Sequence, residues 1–252
     1  MSSDFSQKQA AMVKAGQIIG QVKAELRKLV RPGLSFLEID SRARSLIEKA
    51  GAQTNFDLEP GYHWATCVNV NAGIVHGIPH PHLYLNEGDL LKIDLGCSWE
   101  GWNVDTAMCL VVGEDLHGYA ELIKVGEKAL HKALSAVKLH NSIADISVAM
   151  EKVILAADCD PIYELVGHGI GRHLHEEPAI PCSAQRRDKQ KKITAGQGLA
   201  VEVMFAAGDA TLKLAADGWT YESADGSPTI LLEETVLVLP TTSLILTQEP
   251  GL

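Results

Sequence analysis

The chain is poor in the features that would place it in several common classes. Its 252 residues include five cysteines, Cys67, Cys97, Cys109, Cys159 and Cys182, an odd number with no C-x-x-C pair. This argues against both a disulfide framework and a thiolate-zinc site. Basic residues are outnumbered, 22 Lys and Arg against 32 Asp and Glu, for a formal net charge of −10. Nucleic acid and anionic membranes are both bound through clustered Lys and Arg, so neither is expected as a partner. The one basic cluster, Arg186-Arg187 to Lys191-Lys192, is interrupted by Asp188 and reads as a solvated loop. No apolar run approaches the ~20 residues that span a bilayer. The N-terminal MSSDFSQKQAAMVKAG lacks the basic segment, apolar core and cleavage site of a secretory signal, so the expected location is cytoplasmic. Low-complexity stretches and an obvious interdomain linker are absent too.

What remains is an ordinary globular composition, 46% hydrophobic and 21% charged, long enough for one large domain with a sizeable core or two small ones. From about Gln7 to Val30, apolar residues at Met12, Ala15, Ile19, Val22, Leu26 and Leu29 follow the 3.6-residue period of an amphipathic helix. Arg31-Pro32-Gly33 breaks it. Ser35 and Glu38 then form an S-x-x-E capping box that opens a second helix, which Gly51 closes. A β-type run follows at Thr66–Val70. After Gly113 the order begins again, with a helix expected over Asp115–Lys138. A shift of 107 residues lays Ser35 on Ser142, Glu38 on Asp145 and Ile39 on Ile146, which points to two related halves of an α+β unit. Strands are expected at Ile162–Val166, Gly198–Phe205, Thr211–Ala215, Ile230–Leu239 and Ser243–Thr247, with a polar loop over Ser183–Lys192.

The stretch IDLGCSWEGWNVDT, Ile93 to Thr106, places Asp94 and Asp105 inside apolar strands joined by a tight turn. If Glu100-Gly101 is a two-residue hairpin turn, Asp94 faces Ala107 and Asp105 faces Gly96, and both acids emerge on one face. They are then diagonal neighbours roughly 7–8 Å apart at the backbone, close enough to converge on one cation. Alternatively, Lys92, two residues before Asp94, neutralises one acid while the other is solvated.

Glu202 in GLAVEVMF and Glu233 in TILLEETVLVL add two more acids within runs that read as buried strands. A buried, unpaired carboxylate must protonate, find a partner or bind metal. GHGIGRHLHEEP adds His168, His173 and His175 among glycines that allow sharp turns. His173 has only its proximity to recommend it. Four carboxylates and one neutral imidazole balance two divalent cations, −4 against +4, the charge arithmetic of a two-metal hydrolytic site. Oxygen-rich ligation with one histidine suits Mn, Co, Fe or Zn alike.

Asp94 and Asp105 eleven residues apart, NVNAGIVHGIP with His76, GHGIGRHLHEEP, GLAVEVMF, DGWT at Asp217–Thr220 and LLEETV together resemble the type I methionine aminopeptidases. The likeness runs from the first helix to Thr247. It implies the pita-bread fold shared with proline-specific peptidases and creatinase. That fold is α+β, here a single catalytic domain over 1–252 whose pseudo-symmetric halves, about 7–112 and 115–239, share a central antiparallel sheet flanked by helices. It also implies metal-dependent removal of the N-terminal methionine from nascent proteins, with two divalent metal ions as cofactors. Asp94 would then chelate the first metal, Asp105 and Glu233 would bridge both, and His168 and Glu202 would complete the second. Glu202 would also move protons, while His76 and His175 would contact the scissile amide. Tyr62, Cys67, Leu174 and Trp219 would line the methionine pocket, where apolar and polarisable groups suit a thioether. Implied partners are the N-terminal peptide of nascent proteins and, as a candidate, the ribosome; a monomer is expected. Three departures stand out: Val203 in place of the usual Pro, Leu174 in place of Phe, and a region around Phe56 and Glu59 unlike the usual pocket. Two alternatives remain. One is a related peptidase acting on Xaa-Pro bonds, although such relatives usually carry a preceding domain. The other is a noncatalytic binding module, although such proteins typically lose ligands.

Overall fold

The computed structural model describes residues 3–251. The first half contributes α1 (Ser3–Leu29), α2 (Phe36–Lys49), β1 (Gln53–Thr54), β2 (Thr66–Val70), β3 (Gly73–Val75), β4 (Leu90–Trp99) and β5 (Trp102–Val111). The second contributes α3 (Tyr119–Ala136), α4 (Ile143–Leu155), β6 (Asp160–Pro161), β7 (Val166–Ile170), β8 (Glu176–Pro181) and β9 (Gly198–Ala206). It ends with β10 (Leu212–Leu214), β11 (Tyr221–Ser223), β12 (Thr229–Val238) and β13 (Ser243–Ile245).

The repeated capping motif does the same job in both halves. Ser35 N–H donates to Glu38 Oε2 at 2.9 Å and Glu38 N–H to Ser35 Oγ at 3.2 Å, fixing the start of α2. At the start of α4, Ser142 N–H donates to Asp145 Oδ2 at 2.7 Å. Each box satisfies backbone donors that a helix start would otherwise leave unpaired, a contribution of about 1 kcal/mol. The expected stripe on α1 is the buried one, with Met12, Ala15, Ile19, Val22 and Leu26 all at most 3% exposed and Leu29 half-buried at its end.

A ten-stranded antiparallel sheet runs β1-β4-β5-β12-β9-β7-β8. Its edges echo one another: β1 and β2 share one side of β4, while β6 and β7 share one side of β9. α1 packs on β4 and β5, and α3 packs on β9 and β12, giving each half its own apolar cluster. Within this sheet the halves meet where β5 pairs with β12, through only two residue partners, Glu233 with Ala107 and Glu234 with Thr106. Beyond them the Thr235 hydroxyl enters the ladder, accepting from Asp105 N–H at 2.9 Å and donating to Asp105 O at 2.7 Å. A second, three-stranded sheet orders β10-β11-β3. Among the described residues no helix is long and apolar enough to cross a membrane.

The structure differs from the sequence expectations in three places. The helix expected from Asp115 begins at Tyr119, because Gly118 takes φ +77° and the Asp115 carboxylate accepts from Tyr119 and Ala120 N–H, each at 2.9 Å. The strand expected at Ile162–Val166 lies later, at Val166–Ile170, so GHGI is itself a strand. Its glycines serve close backbone approach and not turning. A Cβ at Gly167 would lie 2.5 Å from Ala200 O, and one at Gly169 would lie 2.2 Å from Glu177 O. β8, expected as part of a turn-rich stretch, extends the sheet by one strand.

Close approach also governs the packing of α1 against the C-terminal segment. A Cβ at Gly16 would meet Leu246 O at 2.3 Å, and one at Gly20 would meet Gln248 O at 2.3 Å. Helix propensity alone favours Ala over Gly by about 0.8–1 kcal/mol, whereas forcing atoms into a packed interface costs typically ~1–3 kcal/mol. Gly16→Ala is therefore expected to lower the urea midpoint with an unchanged slope. An equal or higher midpoint would show that the C-terminal segment does not press on the helix.

Candidate active site

The β4–β5 hairpin has the register expected from its turn, with Asp94 opposite Ala107 and Asp105 opposite Gly96. Glu100 (φ +51°) and Gly101 (φ +73°) both lie in the left-handed region, as a type I′ turn requires. β12 then sets Glu233 opposite Ala107, and β9 sets Glu202 opposite Glu233. Asp94, Ala107, Glu233 and Glu202 thus form one row across four strands on one face. Ala107 has no side chain long enough to separate the acids. Asp105 stands two residues along β5 from Ala107, and His168 lies opposite Ala200, two residues from Glu202. The row draws on both halves and crosses the seam between them.

Ligand atoms of Asp105, His168 and Glu233 all lie within 4.8 Å of one another. His168 Nε2 is 3.6 Å from Glu202 Oε1 and 3.9 Å from Asp105 Oδ2. Its Nδ1 is 2.9 Å from Gly169 O, which can only accept, so Nδ1 carries the proton and Nε2 presents a lone pair to the acids. Burial lowers the His168 pKa to about 4, so the imidazole is neutral at pH 7.

The alternative role for Lys92 does not hold. Its ammonium donates to Asn71 O at 2.7 Å, and among the described residues it forms no ion pair with Asp94 or Asp105. Its own burial pushes its pKa down to about 7. With no ammonium beside them, the acids disfavour one another's ionisation. Burial first, then the charges of Asp105 and Glu202, push Asp94 and Glu233 far above the usual carboxylate range. Burial and Asp105 do the same to Glu202. Burial raises Asp105 too, partly offset by Thr106 N–H donating to its Oδ1 at 2.9 Å. Two like charges about 4 Å apart repel by on the order of 4 kcal/mol at an effective dielectric constant of ~20. Asp94 Oδ1 and Glu233 Oε1 are buried without a hydrogen-bond partner. Oxygen donors that lack both protein partners and a neutralising charge, beside one bare imidazole nitrogen, fit a divalent cation.

These acids face a cavity of about 360 Å³. Phe56, Tyr62, Cys67, Leu174 and Trp219 supply its apolar wall. Tyr62 OH donates to Thr66 O at 2.8 Å, holding the ring edge-on to Trp219 with centroids 5.2 Å apart. Trp219 is placed by Asp217, whose Oδ1 accepts from both Trp219 and Thr220 N–H at 2.9 Å. Cys67 pairs directly with Asp94 across β2 and β4, so the apolar wall adjoins the acidic row. All six residues expected at the substrate side, including His76 and His175, line this cavity. Val203 does not, since it lies in the core of the second half.

His76 follows β3 with φ +57°, an uncommon conformation for a residue with a side chain and a locally strained one. Burial and the nearby His175 lower its pKa, opposed by Glu59. The His175 ring stands edge-on to His168 with centroids 4.6 Å apart, and its Nδ1 is 3.4 Å from Glu59 Oε1. His173 does not join them, as its exposed backbone N–H is tied to Glu176 Oε1 at 2.9 Å.

Sequence reasoning did not find the Glu59 contact, nor the polar groups behind the sheet, Lys23, Thr106, Glu234 and Thr235. Glu59 stood out only as part of a region unlike the usual pocket, and its contact carried no signal, because its partner is 116 residues away in the chain. Lys23 did carry one: it is a charged residue on the buried stripe of α1, between Ile19 and Leu26, and only 3% exposed.

Comparison with known proteins agrees with this architecture. Residues 10–240 match metallopeptidase family M24. The chain is 35% identical over 236 residues to the methionine aminopeptidase of Clostridium perfringens, covering 94% of each chain. The crystal structure of methionine aminopeptidase from Thermotoga maritima superimposes with a TM-score of 0.92 at 31% identity, over 99% of this chain and 98% of that one. An Xaa-Pro dipeptidase from Bacillus anthracis shares the fold at 18% identity and a TM-score of 0.76, with 97% of this chain matching 61% of the longer protein. The fold, the near-complete coverage and the acidic row at the seam thus lead to one assignment: this chain belongs to metallopeptidase family M24.

Proposed function

We propose that the chain is a metal-dependent methionine aminopeptidase, a single catalytic domain of two pseudo-symmetric halves that removes the initiator methionine from new proteins in the cytoplasm. The observation that carries this reading is the unneutralised carboxylate row flush with an open cavity that has an apolar wall. Five unpaired cysteines, all buried, are in keeping with a reducing compartment.

Asp94, Asp105, His168, Glu202 and Glu233 would hold two divalent ions, since four carboxylates and a neutral imidazole carry the matching −4. Bound there, such ions supply Lewis acidity to a carbonyl oxygen and acidify a water. Every other step belongs to the protein's own groups. Glu202, beside His168 on the cavity wall, takes the proton of the attacking water on a carboxylate oxygen and returns it to the leaving amine nitrogen. His175, with Nδ1 turned to Glu59, keeps Nε2 for the scissile amide. His76, held beside Tyr221, offers a second contact from the opposite half. Tyr62, Cys67, Leu174 and Trp219 exclude water from the side chain and fix its place, so that the first peptide bond rather than a later one meets the acids.

Initial rates on Met-Gly-, Leu-Gly- and Ala-Pro-initiated peptides, after chelation and reconstitution with several metals, test the assignment directly. Chelation should abolish turnover, Mn²⁺ or Co²⁺ should restore it, and Met-Gly should be preferred. Faster cleavage of Ala-Pro would move the chain to the proline-specific branch, and metal-loaded protein that binds peptides without turnover would make it a binding module.

Removing one donor to a transition state costs roughly 10²–10³-fold in kcat. His175→Ala should show a loss of about that size with metal content unchanged by atomic absorption. Metal loss in this variant would instead place His175 among the ligands.

Leu174 is smaller than Phe at the pocket wall, and a methylene in an apolar pocket typically discriminates by only about 1–3 kcal/mol. Leu or norleucine at the first position should therefore be cleaved detectably, and Leu174→Phe should raise the Met-to-Leu ratio of kcat/KM. An unchanged ratio would remove Leu174 from the specificity wall.

A further inference from the structure

Each strand residue that faces the acidic row has neighbours that point the other way, and behind Asp105 and Glu233 those neighbours are Thr106 and Glu234. Both are buried or nearly so, and both meet a lysine from a different element. Lys23 Nζ, on α1, donates to Glu234 Oε1 at 2.9 Å and to Thr106 Oγ1 at 2.9 Å. Thr106 Oγ1 in turn donates to the backbone carbonyl of Glu233 at 2.8 Å. The other oxygen of Glu234 accepts from Thr247 Oγ1, and Thr247 Oγ1 accepts from Thr235 N–H at 3.0 Å. Thr235 Oγ1 then bonds both backbone groups of Asp105.

The chain of contacts is closed on the two residues that matter most. It reaches the backbone of Glu233 through Thr106 and that of Asp105 through Thr235. These contacts occur where the ladder between β5 and β12 shrinks to two residue partners, so the spacing of the two strands is set by side chains more than by a regular ladder. A helix needs no lysine here for packing, since an apolar residue at position 23 would continue the stripe of α1. Replacing a buried ion pair with apolar groups is often neutral or stabilising, which makes stability a poor reason for this one.

We infer that Lys23, Thr106 and Glu234 form a positioning network behind the sheet, which sets the separation of Asp105 and Glu233 across the seam and thereby the affinity for divalent metal. The inference rests on the metal site of the proposed function but not on its substrate. None of the three touches the cavity or the reacting atoms, so they act through the ligands. Groups that orient ligands from behind typically govern metal affinity or activity by 10–100-fold.

The test is Mn²⁺ binding by isothermal titration and by electron paramagnetic resonance of free Mn²⁺, with the full chain and no peptide. Thr106→Val keeps the shape and removes the hydroxyl, while Thr106→Ser keeps the hydroxyl. The pair Lys23→Met/Glu234→Met removes both charges together, leaving neither buried alone. The network predicts Mn²⁺ affinity about 10-fold weaker or more for Thr106→Val and for the double variant, restoration in Thr106→Ser, and metal-free melting temperatures close to the parent's. Parental affinity in both Thr106→Val and the double variant overturns the inference. Failure of both to fold also overturns it, because the network would then be structural only. A parent chain that binds Mn²⁺ but cleaves no Met-initiated peptide sinks the aminopeptidase reading and leaves this one standing; a parent that binds no Mn²⁺ removes both.

Discussion

Mutual repulsion among four carboxylates, two buried and two nearly so, is the constraint on which the rest of this structure depends. Asp94, Asp105, Glu202 and Glu233 sit on one face of one sheet, and no lysine or arginine lines the cavity beside them. Burial and mutual charge both favour their protonated forms, so the arrangement is at odds with a stable, metal-free fold at neutral pH. Such groups are retained when what they gain on binding exceeds what they cost in folding. Two acids come from each half and the row crosses the seam. The site therefore exists only when the two apolar clusters are docked, each holding its own strands in register.

The period of two along a strand lets the sheet separate two kinds of polarity. The front carries carboxylate oxygens that no hydrogen-bond donor meets, as at Asp94 Oδ1 and Glu233 Oε1. The back carries hydroxyls, a carboxylate and a lysine that satisfy one another. A satisfied polar network is rigid because every member is bonded in one geometry, whereas unsatisfied donor atoms are available to a ligand. The same alternation places Val203, the neighbour of Glu202, on the apolar side away from the cavity. Its replacement of the Pro that the resemblance leads one to expect therefore bears on the strand, while Leu174 lines the cavity.

Much of this was legible locally and little of it at long range. The turn at Glu100-Gly101 determines the register of its own hairpin, so the common face of Asp94 and Asp105 followed from a few neighbouring residues. The capping boxes at Ser35 and Ser142 are equally local and were found for that reason. Glycine was misread at 167 and 169 because a turn and a close strand approach both favour the absence of Cβ, and only the partner strand distinguishes them. The pairing of Glu233 with Ala107 joins residues 126 positions apart and carries no local signature. The family resemblance implied that Glu233 and Asp105 share a site, but not this pairing. Glu59 with His175 and Lys23 with Glu234 are specific to side-chain geometry across that same seam, which a periodicity cannot express.

The shortness of the ladder between β5 and β12 and the strength of the proposed ligands are linked. A cation that binds the docked halves and not the unfolded chain stabilises the fold by RT ln(1 + [L]/Kd), about 4 kcal/mol at a thousandfold excess over Kd. That is comparable with the repulsion of two like charges about 4 Å apart at an effective dielectric constant of ~20. Because β5 and β12 contribute only two paired residues, the local structure cannot spread this energy along a long ladder. With the proposed ligands it would be concentrated at Asp105 and Glu233, whose backbones are tied from behind by Thr235 and Thr106. Metal affinity and docking of the halves are thus two readings of one equilibrium, and any change that loosens the strands at this point must weaken both.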